Sequence, residues 1–293
     1  MRTPATRLSK HYDLPAELNG LRRYIESSPA SLAGRWASMC YPLTSGNPRR
    51  RFAEVRVDYG SGMGDYLVES AQREPDVLFV GMEKEPVCIA KAARKAARAE
   101  LANAIFSPID ASRLSSMFGS GEVSVIHINF PTPYARKHDA AKRMTHLDQL
   151  MDYRRILAPN GVIRLKTDSQ PLRDFTLTQL KLAGYQLHWC VDDVRQVLPD
   201  DPWTGYEKRL VAKGATVYAL EAAPGPAPKH VEQTADLSLF DYLPEDLESM
   251  TYVPLGMERS VENLIHARAK IAANHARIAA KKAADQEPRN RKQ

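Results

Sequence analysis

The sequence predicts an α/β protein built on a doubly wound sheet, and three observations carry the prediction. From about residue 54 to 222, short apolar runs alternate with longer stretches of helical spacing, a βα repeat five times over. Three closely spaced glycines, Gly60, Gly62 and Gly64, follow the first run directly. No internal repeat of fixed period is visible, which argues against a solenoid or array.

In chain order, residues 1 to about 45 form an N-terminal extension with one or two short helices, broken by Pro15, Gly20, Pro29, Pro42 and Gly46. The domain expected over 46–223 then opens. Its strands are expected at Glu54 to Tyr59, Val77 to Glu83, Ala104 to Ser107, Val123 to Phe130, Gly161 to Thr167 and Ala215 to Glu221. Helices are expected at Asp65 to Arg73, Pro86 to Glu100, Ala111 to Phe118, Thr145 to Leu157 and Pro171 to Ala183. A parallel sheet with helices on both faces follows from that alternation. Pro224-Gly225-Pro226-Ala227-Pro228 stops regular structure and marks a boundary. Beyond it, 224–293 reads as a linker, an acidic segment and a basic helical tail, with the helix from about Val261 to Ala284.

Composition bounds the function. A chain of 293 residues, 43% hydrophobic and 26% charged, is an ordinary globular protein. It has no run of eighteen apolar residues and no secretory start, so a cytoplasmic protein with no membrane partner is expected. Cys40, Cys88 and Cys190 fit neither a zinc spacing nor a disulfide framework, and no metal is expected. The net charge is +6, unevenly spread: residues 264–293 carry +6, residues 230–263 carry −7, and the remainder carries +7. A basic core fits a polyanionic partner or a solvated surface.

In an open α/β sheet, ligands bind beyond the carboxyl ends of the strands, where backbone N–H groups of the first βα turn face them. Asp58-Tyr59-Gly60-Ser61-Gly62-Met63-Gly64 occupies that turn. The spacing G-x-G-x-G differs from the G-x-G-x-x-G of dinucleotide sites and fits S-adenosylmethionine better. Asp58 can receive a positive or hydrogen-bond-donating group. Glu83, nineteen residues after Gly64, stands where a carboxylate grips ribose hydroxyls, and Asp110 stands where one accepts from an adenine amino group. Glu85 reads as a helix-start charge. Singly, each acid is better read as a surface residue than as a ligand; together, at successive strand ends, they read as one cofactor site.

After the fourth strand comes Asn129-Phe130-Pro131-Thr132-Pro133-Tyr134, then Ala135-Arg136-Lys137-His138 and Lys142-Arg143. Arg143-Met144-Thr145-His146, Lys166-Thr167-Asp168 and Thr204-Gly205-Tyr206-Glu207-Lys208-Arg209 follow in order. In these motifs, over roughly residues 50 to 222, the chain resembles the bacterial tRNA (guanine-N7-)-methyltransferase family of TrmB type. The resemblance implies a class I S-adenosylmethionine-dependent methyltransferase fold, Rossmann-like, and methylation of guanine N7 at tRNA position 46 in the variable loop. It implies cofactor contacts from Asp58, Gly60, Gly62, Gly64, Glu83 and Asp110, and RNA contacts from Arg136, Asp168, Thr204, Gly205, Tyr206 and Glu207. The family's acidic, often catalytic, position is Thr132 here, and its usual lysine is Arg136.

Guanine N7 offers an in-plane lone pair with no proton to remove, so the change at Thr132 is compatible with retained activity. Two rivals stand beside this reading: a tRNA-binding protein of the same fold without catalysis, and a methyltransferase acting on a small molecule. Arg136, Lys137, Lys142 and Arg143 are expected to meet phosphates, with Arg49, Arg50 and Arg51 as further contacts. Tyr134 is placed to stack on an extruded base or simply to pack.

Overall fold

The computed structural model describes residues 12–38, 51–108, 114–248, 250, 252–254 and 256–286. The chain forms two compact units, Met1–Tyr242 and Leu243–Gln293.

The first unit is organised by strands β1 (Glu54–Tyr59), β2 (Val77–Glu83), β3 (Ala104–Pro108), β4 (Val123–Asn129), β5 (Leu157–Thr167), β6 (Tyr185–Val191) and β7 (Tyr218–Pro224). They lie in the order β3-β2-β1-β4-β5-β7-β6. The first five are parallel, and β7 is antiparallel to both β5 and β6. The wholly parallel sheet expected from the sequence is therefore corrected: β6, Gly184 and the return of β7 form an antiparallel edge. β5 also begins at Leu157, upstream of Gly161, and the last strand begins at Tyr218, later than Ala215.

The helices are α1 (Leu14–Gly20), α2 (Asp65–Arg73), α3 (Pro86–Arg98), α4 (Leu147–Ile156), α5 (Gln170–Leu182), α6 (Gly205–Val211) and, in the second unit, α7 (Glu258–Gln286). Of the helix expected at Ala111 to Phe118, residues 111–113 lie outside the described residues, and Leu114–Ser116 form a single 3₁₀ turn.

Alternation along β2 shows how the layers form. Leu78, Val80 and Met82 join a core with Trp36, Phe52, Leu150 and Ile163, whereas Val77 and Phe79 join Leu67, Ile89, Ala93 and Phe106. Both faces of a central strand are thus covered, so it reads as a continuous apolar run. The N-terminal segment contributes to both cores through Trp36 and Tyr24, and Glu26 donates its N–H to the Phe106 carbonyl at 2.8 Å. At the other end, residues beyond β7 stay with this unit: Gly225 N–H bonds to the Gly184 carbonyl, and Tyr242 packs edge-on against Phe175.

The entry to α2 is the tightest point of the architecture. Gly64 caps that helix in the left-handed region, φ +74°, and a Cβ there would lie 2.6 Å from the Ala92 Cβ of α3. Both requirements exclude any side chain. Gly64→Ala is expected to cost about 2 kcal/mol or more, from backbone strain plus overpacking. Urea unfolding should show a lowered midpoint at unchanged m-value; an unchanged midpoint would contradict the close approach.

Candidate functional site

The order of strands reverses between β1 and β4, and the ends of these strands carry the site. Asp58, on β1, is 2% exposed and accepts a hydrogen bond from Asn129 Nδ2 of β4 at 3.1 Å. Burial pushes its carboxyl up to about 7, against the opposing effects of the Asn129 bond and the Lys166 charge. The glycine loop leaves directly above it. Gly60 N–H and Ser61 N–H both donate to the Met82 carbonyl, at 2.8 and 3.1 Å, which ties the loop to β2.

Gly62, φ +54°, would meet only the Gly60 carbonyl oxygen, at 4.0 Å, if it carried a Cβ, so space is open above it. Its N–H donates to Glu83 Oε2 at 2.9 Å, while Glu83 Oε1 accepts from the N–H groups of Lys84 and Glu85. A carboxylate has about four lone-pair positions, so Glu83 keeps capacity for one further donor. Ser61 Oγ is buried without a hydrogen-bond partner. An unsatisfied hydroxyl, an open glycine turn and two carboxyl groups at adjacent strand ends fit a polar adenosyl and amino-acid ligand. Asp110 lies outside the described residues.

Beyond β4 the backbone is strained at both ends of Pro131-Thr132-Pro133. Phe130 has φ +51° and Tyr134 φ +45°, the left-handed region that bulky residues avoid. Thr132, at the middle of this loop, is exposed. Arg143 explains how the loop is held. Its Nε donates to the Pro133 and Tyr134 carbonyls at 3.1 and 3.2 Å, its Nη2 donates to the Tyr134 carbonyl at 2.7 Å, and its guanidinium covers the Phe175 ring at 4.4 Å. At 1% exposure it cannot meet phosphate, which corrects the expectation from the sequence. Arg136, Lys137 and His138 are exposed beside it, as is Arg51; Arg49 and Arg50 lie outside the described residues. Lys142 is turned onto Asp139 at 2.6 Å.

The third wall comes from β5 and the segment before α6. Lys166, 1% exposed, places Nζ 2.6 Å from Asp201 Oδ2 and 3.3 Å from Glu207 Oε2, over the Tyr66 ring at 4.6 Å. Arg195 pairs with the other Glu207 oxygen and lies 3.9 Å over Trp203. Tyr66 OH donates to Asp201 Oδ1 and shares a 3.1 Å bond with His127 Nδ1. Burial, then the nearby Arg164, Arg56 and Lys166 charges, hold the His127 imidazole well below its usual range, so it is neutral.

Thr204 caps α6, its Oγ1 accepting from Glu207 N–H at 2.8 Å. Thr-x-x-Glu is the pattern of a capping box, but here the glutamate side chain turns inward to Lys166 and Arg195. Glu207 is 0% exposed with both oxygens engaged, so in this arrangement it braces the wall and does not face solvent. Gly205 sits beside Asp65 at the start of α2, Tyr206 packs edge-on against Phe130, and Asp168 is buried at the end of β5. Loop 130–134, the glycine loop and Thr204–Glu207 therefore border one mouth. Asn129, Lys166 in its buried role, Arg195, Asp201, Tyr66 and His127 were not singled out as parts of this wall by sequence reasoning. The Thr204-x-x-Glu207 capping pattern was the one local signal that could have revealed α6.

A sheet in this order, with a glycine turn at its switch point and acids at the ends of β1 and β2, defines a class I S-adenosylmethionine-dependent methyltransferase. The methyltransferase family model Methyltransf_4 matches residues 53–220. The tRNA (guanine-N(7)-)-methyltransferase of Geobacillus kaustophilus is 34% identical over 205 residues, covering 70% of this chain and 90% of that protein. Those of Geobacillus thermodenitrificans and Brevibacillus brevis are 33% and 30% identical, covering 68% and 61% of this chain and 89% and 86% of theirs. The chain belongs to the tRNA (guanine-N7-)-methyltransferase family.

The Asp58 carboxyl generates a pH dependence. With a folded value near 7 and an ordinary value of 3.8, the folded protein holds a proton that the unfolded chain releases between about pH 4 and 7. Stability from this group is therefore lost as pH rises through that window, by at most about 4 kcal/mol. Asp58→Asn removes the effect. Urea unfolding of the cofactor-free protein at pH 5 and pH 7.5 should show the variant gaining on the parent with rising pH; parallel profiles would refute the burial account.

Proposed function

We propose that the protein transfers a methyl group from S-adenosylmethionine to N7 of a guanine in tRNA, at position 46 of the variable loop. The observation that carries this reading is the 130–134 loop, which leaves β4 next to the Asp58–Asn129 pair and continues into the exposed Arg136 and Lys137. Cofactor-binding groups and RNA-facing cations are thereby adjacent. A tRNA substrate supports a cytoplasmic location.

When bound, S-adenosylmethionine supplies an electrophilic methyl carbon on a sulfonium. Asp58 is the group suited to its ammonium, Glu83 to its ribose hydroxyls and Asp110 to its adenine amino group, while Gly60, Gly62 and Gly64 leave the backbone open to it. The cofactor would supply the methyl to N7 of guanine, whose in-plane lone pair carries no proton for the protein to remove. The base becomes cationic and no proton must leave.

The protein's part is alignment and the holding of charge. Thr132 hydrogen-bonds the guanine edge without supplying a negative charge, and the strained turns at Phe130 and Tyr134 fix where it stands. Arg136 contacts phosphate. Asp168 and the Thr204–Glu207 turn complete the base-binding side, with Thr204, Gly205 and Tyr206 nearest the mouth and Glu207 bracing them from behind.

The purified protein, given methyl-labelled S-adenosylmethionine and unmodified tRNA, should place label in N7-methylguanosine at one position. Arg136→Ala with Lys137→Ala should raise KM for tRNA about tenfold and flatten its salt dependence, with cofactor affinity unchanged. Tight tRNA binding with no label incorporated would leave the binding-protein reading. Label in a small molecule alone would refute the tRNA substrate.

A further inference from the structure

Helix α7 has a charge pattern that a solvated helix does not need. Between residues 264 and 284 there is no Asp or Glu, but there are Arg268, Lys270, Arg277, Lys281 and Lys282, with His266 and His275. Residues 266–282 are all exposed, Ile271 and Ile278 included. Alanine-rich composition accounts for the helix without packing. A helix exposed all round is usually laced with opposite-charge i,i+4 pairs. Here Arg277 and Lys281 are a like-charge i,i+4 pair, and no carboxylate pairs with Lys270, Arg277 or Lys281 among the described residues. Such spacing weakens an isolated helix. A polyanion along that side removes the repulsion.

At 100° per residue, Lys270, Arg277 and Lys281 fall within about 40° of one another, with His266 alongside, and span about 16 Å of axis. They form one continuous cationic row. Leu264, Ile271 and Ile278 lie about 100° round from this row, with Arg268, His275 and Lys282 beyond them, and there is no aromatic residue from 264 to 284. That apolar stripe is poor in the large side chains by which interfacial helices enter a bilayer. The row therefore favours a phosphate backbone over a lipid surface. The helix also lies wholly beyond residues 53–220, the part matched to the family.

We propose that α7 is an RNA-binding arm whose Lys270, Arg277 and Lys281 contact phosphates of the tRNA substrate. This rests on the tRNA reading of the first unit and adds to it a second contact surface. Such contacts are not specific for sequence: they raise affinity and fix how the RNA lies, leaving selection of the guanine to the mouth.

The test uses the full chain carrying Lys270→Gln, Arg277→Gln and Lys281→Gln together, with helix content checked by circular dichroism. Binding of unmodified tRNA should weaken about tenfold near 50 mM salt, and the log–log salt slope should fall by about 2, at roughly 0.7–0.9 per phosphate contact. Turnover at saturating tRNA should be unchanged. Equal affinity and slope in parent and variant would overturn the proposal. So would an equal loss per charge from Arg268→Gln with Lys282→Gln, since the row would then have no special role. Binding of the parent to phosphatidylserine vesicles, lost in the variant while tRNA affinity is unchanged, would overturn it in favour of a membrane. Failure of the parent to bind tRNA at all would instead refute the reading of the first unit.

Discussion

A fully buried ammonium group organises the mouth of this enzyme. Lys166 leaves the end of β5 and finds Asp201, Glu207 and the face of Tyr66 in place of water. Taking a charge out of water costs several kcal/mol unless partners surround it closely, and removing one partner strands the others. The segment from Arg195 to Glu207 is consequently not free to choose its path. It must deliver two carboxylates to one point at the carboxyl end of β5, and in doing so it sets Thr204–Glu207 beside the glycine loop and against Phe130. Tyr66 carries the same constraint into α2, because its hydroxyl bonds both Asp201 and His127. Sheet, glycine loop and the Thr-Gly-Tyr-Glu turn are held in register by charge, where a larger apolar core would hold them by packing.

The loop bearing Thr132 is fixed by a different device serving the same end. Two residues that disfavour the left-handed region occupy it on either side of Pro131-Thr132-Pro133, at a cost of order 1–3 kcal/mol each. Arg143 offsets that strain by bonding two carbonyls of the loop while its guanidinium rests on Phe175. A displacement reaction that needs three atoms in line gains from such rigidity more than from an additional charge. On this view an uncharged Thr132 is compatible with turnover because the loop that carries it is held in place. Asp58 adds a second consequence of burial: a carboxyl near neutrality binds a cation best when pH is high enough to ionise it.

Local chemistry was legible in the sequence, and long-range pairing was not. β1, β2 and α2 fall on the expected boundaries because each combines a clear apolar pattern, alternating, helical or continuous, with an unambiguous end, the glycine turn or a charged strand end. β6 escaped notice because Gln186, Leu187 and His188 of this edge strand are all exposed, so no inside–outside alternation is written into them. With β6 missing, the antiparallel return of β7 could not be anticipated. Helix α6 is only seven residues long and begins with glycine, too short for periodicity to show. Lys142 and Arg143 are neighbours of the same charge with opposite fates, one exposed and one at 1% exposure, and only the backbone turn between them decides which. In the same way, nothing local marks Lys166 as buried or Glu207 as its partner, 41 residues away.

The most direct measurement is a double-mutant cycle on the stability of the cofactor-free protein, using Lys166→Met, Asp201→Asn and the pair together. If a buried ion pair organises the mouth, either single change removes most of what the double change removes, and the coupling energy is about 2 kcal/mol or more. Additive losses, with coupling within about 0.5 kcal/mol of zero, would contradict the account.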